Sequence, residues 1–395
     1  MNPATLYGHL KTICKTIGER PTGTLANRQV MEYIGRHLEC LGYPVTYQLF
    51  DCKEWNVSRA SLQSGDQNIC VYANPYSPSC DLTTSVQIIR TLEELRYSDV
   101  SDTIVMITGD LSQTPLMPKN FPFFNLESHQ EIIRLLEEKN PHAVIFTYPG
   151  KELTPILIDG DFSLPSVTIS ESDIPYLLDH SGTSIHLSID SETTPSRAAN
   201  VLCQIPGEGK KIVLCAHFDT KYYTPGALDN ASGVAALLVL VDRLRRGPPK
   251  NNIEFVFLNG EECYNAPGEM AYLSSDSVNL QDIGLVINLD GIGLCGNPSS
   301  VAYFSMPHTY EAVAEETRKK YPGVVRVDPW PEGDHMIFAQ KNIPSIAFST
   351  AAEGNVMKNI IHSSLDTMDR LDIGKIMHTI DAIEATVRKL SEIID

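Results

Sequence analysis

The sequence predicts an α/β protein with a mixed, largely parallel central sheet flanked by helices, and with a smaller inserted β-rich domain. Four short apolar and β-branched runs have the composition of buried strands: 211–216, 253–258, 285–289 and 345–348. Helical patterns separate these runs. The helix over 231–246 is apolar on nearly every face, which predicts that it is buried, and Asp229, Asn230 or Ser232 could cap its start. Because strands alternate with helices, we expect most of the strands to be parallel.

Acidic and imidazole side chains lie at or just beyond the ends of these predicted strands. In chain order they are His217 and Asp219, Asp229, Glu261 and Glu262, Asp290, and His362. In a sheet of parallel strands, groups that bind ligands collect beyond the carboxyl ends of the strands. The pattern therefore predicts a metal site that is assembled from distant parts of the chain.

Charge and coordination favour a pair of zinc ions at this site. Two Zn²⁺ ions carry four positive charges, and three ligand carboxylates with one bridging hydroxide would balance them. The carboxylates would be those of Asp229, Glu262 and Asp290. His217 and His362 would each give one metal an imidazole nitrogen, which leaves Asp229 as the carboxylate that can reach both ions.

Two further carboxylates have predicted roles beside the metals. Asp219 lies two residues after His217, so it can accept the other ring N–H and fix the tautomer of the imidazole. Glu261 precedes the ligand Glu262 but is not needed as a ligand itself. A carboxylate in that position can take a proton from the bridging water and pass it to a leaving amine.

The stretch 199–371 resembles the di-zinc exopeptidase family that includes bacterial leucyl aminopeptidases, the aminopeptidase S and Y types and, more distantly, the glutamate carboxypeptidases. The motifs that carry the resemblance are 200–201, 212–220, 225–233, 259–262, 288–291, 334–335, 362–363 and 366–367. The resemblance implies a phosphorylase/hydrolase-like zinc exopeptidase core. It also implies the assignment of ligands: His217 and Asp290 to one zinc, Glu262 and His362 to the other, Asp229 to both. By the same resemblance Glu261 is the general base and Asp219 orients His217.

The sequence departs from the family pattern at two positions. Relatives usually carry two aspartates before the asparagine, whereas this chain has Leu228 and Asp229, which keeps the bridging residue and loses its acidic neighbour. Many relatives have a tyrosine before the last histidine ligand to stabilise the oxyanion, and here that residue is Ile361. Loss of one such donor costs on the order of 100-fold in turnover. Tyr264 and His335 are candidate replacements by position, and His335 is alternatively a ligand or a structural histidine.

The length of 395 residues predicts two domains, or one domain with a large insert. We predict a zinc exopeptidase catalytic domain formed by 1–54 and 196–395. Its opening helix carries Leu6, Leu10 and Ile13 on one face, and Thr24 caps a second helix that ends near Gly42. A β run over 45–50 follows, and the segment 18–23 before the second helix resembles the opening of the family.

The remaining residues, 55–195, form the predicted insert. It alternates short β runs with loops rich in Pro, Ser and Asp and with a helix over 128–138; the runs are 103–108, 143–147, 167–169 and 185–189. The stretch 164–170, followed by 173–178, resembles a protease-associated insert. That resemblance implies a lid or wall of the substrate cleft, and the alternative is a spacer domain. His142 and His186 fall at predicted strands and are expected to be structural.

Composition limits the partners and the location. The formal net charge of −18 disfavours nucleic acid and anionic membranes and favours cationic ligands such as peptides with a free α-ammonium, which Glu261 or Asp290 could accept. A run of about 18 apolar residues and a secretory signal at the start are both lacking. Nine cysteines without Cys-X-X-Cys pairs suit a reducing compartment. We therefore predict a cytoplasmic protein, with secretion open if a signal preceded Met1.

These observations predict a zinc metallopeptidase that hydrolyses the amino-terminal peptide bond of peptides. Three alternatives remain: a carboxypeptidase, which needs a basic pocket; a glutaminyl cyclase type, which works with one metal; and a non-catalytic receptor-like relative, which would have broken ligands. Side-chain specificity and oligomeric state are not predicted. The apolar stripe of the helix over 373–394 is expected to face the core.

Overall fold

The structure is a computed structural model that describes residues 3–123, 125–149, 160, 162–179, 184–352, 356–357 and 359–395. The chain divides into two compact units. The first comprises Met1–Cys52, Arg197–Glu262 and Ala266–Asp395, and the second comprises Lys53–Ser196 and Cys263–Asn265. The assignment of the second unit as a protease-associated insert stays a prediction.

Helices and strands alternate along most of the described chain. The helices are α1 (Pro3–Leu10), α2 (Leu25–Cys40), α3 (Leu92–Tyr97), α4 (Glu127–Lys139), α5 (Ile174–Asp179), α6 (Ser232–Arg245), α7 (Pro267–Leu273), α8 (His308–Arg318), α9 (Met336–Ala339) and α10 (Ile373–Leu390). The strands are β1 (Thr46–Ser64), β2 (Gln67–Ile69), β3 (Val71–Ala73), β4 (Cys80–Ile89), β5 (Ile104–Ile107), β6 (Ala143–Tyr148), β7 (Ser166–Ser170), β8 (Ser184–Ile205), β9 (Glu208–His217), β10 (Asn251–Leu258), β11 (Ile283–Leu289), β12 (Ser299–Phe304), β13 (Val324–Arg326) and β14 (Ser345–Thr350).

The sheet of the first unit has the strand order β13-β12-β14-β11-β9-β10-β8. β9 pairs in parallel with β10 and β11, and β11 pairs in parallel with β14. β8 and β12 run antiparallel to their neighbours β10 and β14. The predicted mixed, largely parallel sheet is therefore confirmed, and the four strands that were predicted from apolar runs lie side by side at its centre.

Helix α6 has the buried position that its composition predicts. Each residue from Ser232 to Asp242 is buried, and the helix packs against β9 on one side and against α1 and α10 on others. Asn230 acts as the cap, because its Oδ1 accepts the backbone N–H of Gly233 at 3.0 Å. The stripe of α10 also faces the core, with Ile376, Ile380 and Ile383 fully buried.

The second unit contains the parallel strands β4, β5, β6 and β7, with β3 antiparallel to β7. Helix α4 covers the predicted span and buries Ile132, Ile133 and Leu136. Two strands are much longer than predicted. β1 continues beyond residue 50 through residues of mixed exposure, and β8 continues through the exposed or partly exposed run 190–197 into the buried run 198–203. An exposed run of strand lacks the apolar alternation from which a strand can be recognised in the sequence.

Within the described part of the chain, none of the helices combines the length and the apolar composition that crossing a bilayer requires. The expected cytoplasmic location stays a prediction.

Candidate metal centre

The predicted strand ends meet at one edge of the sheet in the first unit. β9 ends at His217, β10 ends three residues before Glu261, and β11 ends one residue before Asp290. Leu258, the last residue of β10, is the register partner of His217. His362 reaches the same edge from the loop after β14, of which residues 353–355 and 358 lie outside the described residues.

All five predicted ligands come together in two overlapping groups among the described residues. One group is His217, Asp229 and Asp290, and the other is Asp229, Glu262 and His362. Within each group, one possible ligand atom per residue lies within 4.8 Å of the others. Asp229 belongs to both groups. Its Oδ1 lies 3.2 Å from Nε2 of His217, and its Oδ2 lies 3.0 Å from Nε2 of His362.

The remaining ligand contacts complete the two groups. Oδ1 of Asp290 lies 3.6 Å from Nε2 of His217, and Oε1 of Glu262 lies 2.9 Å from Nε2 of His362. Both ring nitrogens of His217 are buried without a hydrogen-bond partner in the described structure. A buried imidazole normally has its nitrogens satisfied, so this observation and the nitrogen and oxygen donors around it fit a bound metal ion.

Asp366 fixes the backbone of the shared carboxylate residue. Its Oδ1 accepts the N–H of Leu228 at 2.6 Å, and its Oδ2 accepts the N–H of Asp229 at 3.0 Å. Burial raises the pKa of Asp366 to about 7, although these backbone N–H groups lower it. Asp229 is followed by a cis peptide bond. The two hydrogen bonds from Leu228 and Asp229 to Asp366 therefore hold the loop that carries the Asp229 carboxylate.

The carboxylates create a strongly negative environment for the two imidazoles. Burial lowers the pKa of His362, but the charges and hydrogen bonds of Glu262 and Asp229 outweigh it and raise the pKa to about 10. For His217, burial likewise lowers the pKa, and Asp290, Asp219 and Asp229 raise it well above the ordinary value. The same surroundings that favour a proton on each imidazole favour a cation between the carboxylates.

Asp219 lies where the sequence predicts it, beside the imidazole of His217. Its Oδ1 is 3.6 Å from Nδ1 of His217, a distance beyond that of a hydrogen bond. Its Oδ2 accepts hydrogen bonds from Oγ1 of Thr22 at 2.9 Å and from the backbone N–H of Glu262 at 3.1 Å. Asp219 is fully buried, and it lies beside His217 while it holds the backbone of Glu262, a candidate ligand of the other group.

Glu261 lies outside both ligand groups, next to Glu262 in the chain. Burial raises its pKa well above the ordinary value; the charge of His217 opposes this, while Glu262, Asp334 and Asp290 reinforce it. Two further buried carboxyl groups have raised pKa values as well. Burial and the charge of Glu261 raise the pKa of Glu269, and burial and the charge of Glu269 raise the pKa of Asp334. A carboxyl group with a raised pKa can both accept and release a proton near neutral pH.

Lys221 and Arg20 are important site residues that motif reasoning missed. Nζ of Lys221 lies 2.8 Å from Oε2 of Glu262. Arg20 is fully buried and donates hydrogen bonds to the backbone carbonyl oxygens of Phe218 at 2.6 Å and Gly226 at 2.8 Å, so it holds the loop after β9. Arg20 was seen only as part of the opening motif. The available signal for Lys221 was its place two residues after Asp219.

His335 is not a member of either ligand group. It is fully buried, its ring centroid lies 4.2 Å from that of Phe304 and 5.4 Å from that of Trp330, and burial lowers its pKa to about 4. Tyr264 groups with the second unit, where its ring lies 5.1 Å from that of Tyr76. Ile361 packs against the core of the first unit. The oxyanion role of Tyr264 or His335 stays a prediction.

The two histidines that were predicted to be structural, His142 and His186, each lie beside an aspartate that belongs to neither ligand group. His186 in β8 lies 2.6 Å from Oδ1 of Asp81, and His142 lies 3.8 Å from Oδ1 of Asp102. Both rings are more than two-fifths exposed. These contacts agree with the expected structural role.

The strand ends of this largely parallel sheet carry two groups of histidine and carboxylate side chains that share one aspartate. Such an arrangement is typical of metal-dependent hydrolases. Residues 200–387 match the profile of Peptidase family M28. This match confirms the predicted resemblance to an exopeptidase family, and with it the prediction that the chain is an enzyme of the peptidase class.

Similar proteins extend the comparison beyond that segment. The probable leucine aminopeptidase 2 of Aspergillus oryzae is 23% identical over 359 residues, which cover 85% of this chain and 69% of that protein. A zinc aminopeptidase from Bacillus subtilis has a similar structure, with a TM-score of 0.81, 19% identity and coverage of 98% of this chain and 95% of that one. A glutaminyl cyclase from Porphyromonas gingivalis shares the fold less closely, with a TM-score of 0.54, 15% identity and coverage of 98% of both chains.

Proposed function

We propose that this chain is an aminopeptidase that uses two zinc ions to remove the amino-terminal residue of peptides. The proposal depends mainly on the position of the Asp229 carboxylate, which belongs to both ligand groups. Its Oδ1 lies 3.2 Å from Nε2 of His217, and its Oδ2 lies 3.0 Å from Nε2 of His362. A carboxylate in this position is suited to bridge two cations. The similarity to named aminopeptidases supports the choice of reaction.

The residues present fit the two ions. His217 and Asp290 would hold one, Glu262 and His362 the other, and Asp229 both, as the resemblance implies. When bound, the zinc ions would polarise the scissile carbonyl group, lower the pKa of a water and stabilise developing negative charge. Their four positive charges would also offset the three negative charges of the ligand carboxylates.

Glu261 is the proposed proton carrier of the reaction. It is adjacent to the ligand Glu262, lies outside the ligand groups, and has a pKa that burial raises. Its carboxylate would take a proton from the attacking water and then donate it to the nitrogen of the leaving amine. A raised pKa makes the carboxylate a better base for the first step, and in the second step the proton passes to the leaving amine, which is the stronger base.

The part of the substrate that the site would recognise is the free α-ammonium group at the amino terminus of a peptide. Asp290 and His362 are the most exposed ligands, with side chains 27% and 34% exposed, whereas those of Glu262 and Asp229 are 4% and 10% exposed. A substrate would therefore approach from the side of Asp290 and His362. The carboxylate groups there, and the net charge of −18, favour a positively charged group over a carboxylate terminus.

A panel of peptides tests this function. The panel should contain free peptides, the same peptides with an acetylated amino terminus or an amidated carboxyl terminus, and peptides that begin with glutamine. We expect hydrolysis of free and carboxyl-amidated peptides from the amino terminus, no hydrolysis of acetylated peptides, and loss of activity with a chelator that Zn²⁺ restores. Cleavage that requires a free carboxyl terminus, or cyclisation of glutamine without hydrolysis, would replace the proposal with a carboxypeptidase or a cyclase.

A further inference from the structure

Lys221 forms a buried ion pair with a proposed metal ligand. Its Nζ lies 2.8 Å from Oε2 of Glu262 and donates a second hydrogen bond, of 2.7 Å, to the backbone oxygen of the same residue. The side chains of Lys221 and Glu262 are only 16% and 4% exposed. Burial of an ammonium group costs folding free energy unless the group is paired with an opposite charge. Lys221 is therefore held by Glu262 and not by solvent.

The two carboxylate oxygens of Glu262 consequently have different neighbours. Oε2 faces Lys221, whereas Oε1 lies 2.9 Å from Nε2 of His362 in the ligand group. The backbone of Glu262 is fixed at both ends of the residue: its N–H donates to Asp219 and its carbonyl accepts from Lys221. Glu262 therefore has little freedom to turn its second oxygen toward the ligand group.

We propose that Lys221 is a positioning residue that restricts Glu262 to one metal-binding oxygen and lowers the affinity for the ion held by Glu262 and His362. This inference rests on the proposed function, since it requires two metal ions. A carboxylate that binds through both oxygens would occupy a further coordination position, and zinc sites that catalyse reactions keep a position for water or substrate. The ammonium group also repels a cation bound on the other side of the same carboxylate.

The chain offers a matched control pair. Lys211 and Glu254 have an Nζ to Oε1 distance of 2.9 Å and side-chain exposures of 17% and 3%, close to those of Lys221 and Glu262. Glu254 is not a member of either ligand group. Lys211→Met therefore removes an equivalent buried ion pair without touching the metal centre.

The test measures metal binding by the whole chain. Zn²⁺ affinities are determined by competition with a chromophoric chelator, and the absorption of bound Co²⁺ reports the number of ligands around the ion. The variants are Lys221→Met, Lys221→Gln and Lys211→Met, and the ion in question is identified as the one that His362→Ala loses. Lys221→Gln removes the charge and keeps a polar side chain with a hydrogen-bond donor, although a shorter one, so it serves if Lys221→Met does not fold.

We expect removal of the charge to increase the affinity for this ion by about tenfold, because a cation a few ångströms away no longer opposes it. In Lys221→Met the Co²⁺ absorption should also weaken, as it does when a fifth ligand oxygen joins a tetrahedral site, whereas Lys211→Met should match the unaltered chain in both measurements. Unchanged or lower affinity in both Lys221 variants would overturn the inference. An unaltered chain that binds fewer than two ions would instead overturn the proposed function.

Discussion

Leu228 shows how the site keeps its shared ligand without the acidic neighbour that relatives carry. The leucine side chain is fully buried in the core of the first unit, so it contributes packing in place of charge. Its backbone N–H donates to Asp366, as does that of Asp229. The position of the Asp229 carboxylate therefore depends on backbone hydrogen bonds that any residue at 228 except proline can supply.

Replacement of Glu261 by glutamine tests its role as proton carrier. Glu261→Gln keeps the size of the side chain and removes its ability to accept a proton, so turnover should fall on the order of 10³-fold. Because Glu261 lies outside both ligand groups, metal content should stay near that of the unaltered chain. Steady-state kinetics and metal analysis of the same sample are the measurements.

The adjacent ligand provides the control for this experiment. Glu262→Gln removes a carboxylate of the second ligand group and should lose metal as well as activity. If Glu261→Gln retained activity within tenfold, Glu261 would not carry the proton.

Arg20 should be essential for stability, because its guanidinium group satisfies buried backbone oxygens in the loops around the site. It donates to the carbonyl groups of Gly18, Phe218, Pro225 and Gly226. Arg20→Met leaves these acceptors without a donor and should lower the free energy of unfolding by more than about 3 kcal/mol. Denaturant unfolding followed by circular dichroism measures the change.

Arg36 is the control for Arg20. Its side chain is 71% exposed and pairs with Glu32 at 3.6 Å, so Arg36→Met should change the free energy of unfolding by less than about 0.5 kcal/mol. Similar losses for the two variants would mean that the buried hydrogen bonds of Arg20 are not important for stability.

The convergence of the five candidate ligands could be predicted from the sequence, because each comes after a recognisable buried strand or just before a buried helix. The burial of Lys221 in its loop and of Glu269 in α7 could not be predicted, since charged side chains are usually solvated and nothing in their spacing shows that they are buried. Asp366 belongs to a motif, but the motif did not show that its carboxylate accepts backbone hydrogen bonds. Their importance depends on how the loops fold over the sheet edge. His335 illustrates the converse, because its position in a motif suggested chemistry while its aromatic neighbours hold it in the core.

At the scale of elements, the central strands were predictable because they are buried on both faces. β9, β10 and β11 are continuous apolar runs, and their parallel pairing brings their carboxyl ends to one edge. The same argument predicted the buried helix α6. The full lengths of β1 and β8 were missed, because exposed and partly exposed stretches, such as 190–197 of β8, interrupt the apolar pattern from which a strand is recognised.

The packing of α1 on α2 should make stability depend on pH. His9 is 4% exposed, its Nδ1 lies 2.6 Å from the hydroxyl of Tyr33, and its ring meets that of His37 edge-on. Burial, with a smaller contribution from the charge of His37, lowers the pKa of His9 to about 4. Because the unfolded chain binds this proton more readily, His9 costs stability as the pH falls from about 6.5 towards 4.

His9→Gln should remove this contribution. Between pH 7 and pH 5 the free energy of unfolding of the unaltered chain should fall by about 2 kcal/mol more than that of the variant. Urea unfolding at a series of pH values measures the difference, and His142→Gln controls for loss of an exposed imidazole. If the free energy of unfolding changed with pH in the same way for the unaltered chain and for His9→Gln, His9 would not titrate in this range.

At the scale of the whole molecule, the metal centre depends on the folded first unit. The five ligands are spread from His217 to His362, and only the pairing of β9, β10, β11 and β14 brings them together. Clustered carboxylates repel one another, and a bound cation relieves that repulsion, so metal binding and folding are coupled. The sequence predicted that these five side chains converge, but the distances between them depend on the loops after the strands.

X-ray diffraction from crystals grown with excess Zn²⁺, with anomalous data collected on both sides of the zinc absorption edge, would show whether the chain binds a pair of zinc ions. We predict two anomalous peaks in the first unit, one contacted by His217 and Asp290, the other by Glu262 and His362, with one oxygen of Asp229 on each. A single peak, or two peaks that do not share Asp229, would show that the chain has no zinc pair bridged by this carboxylate.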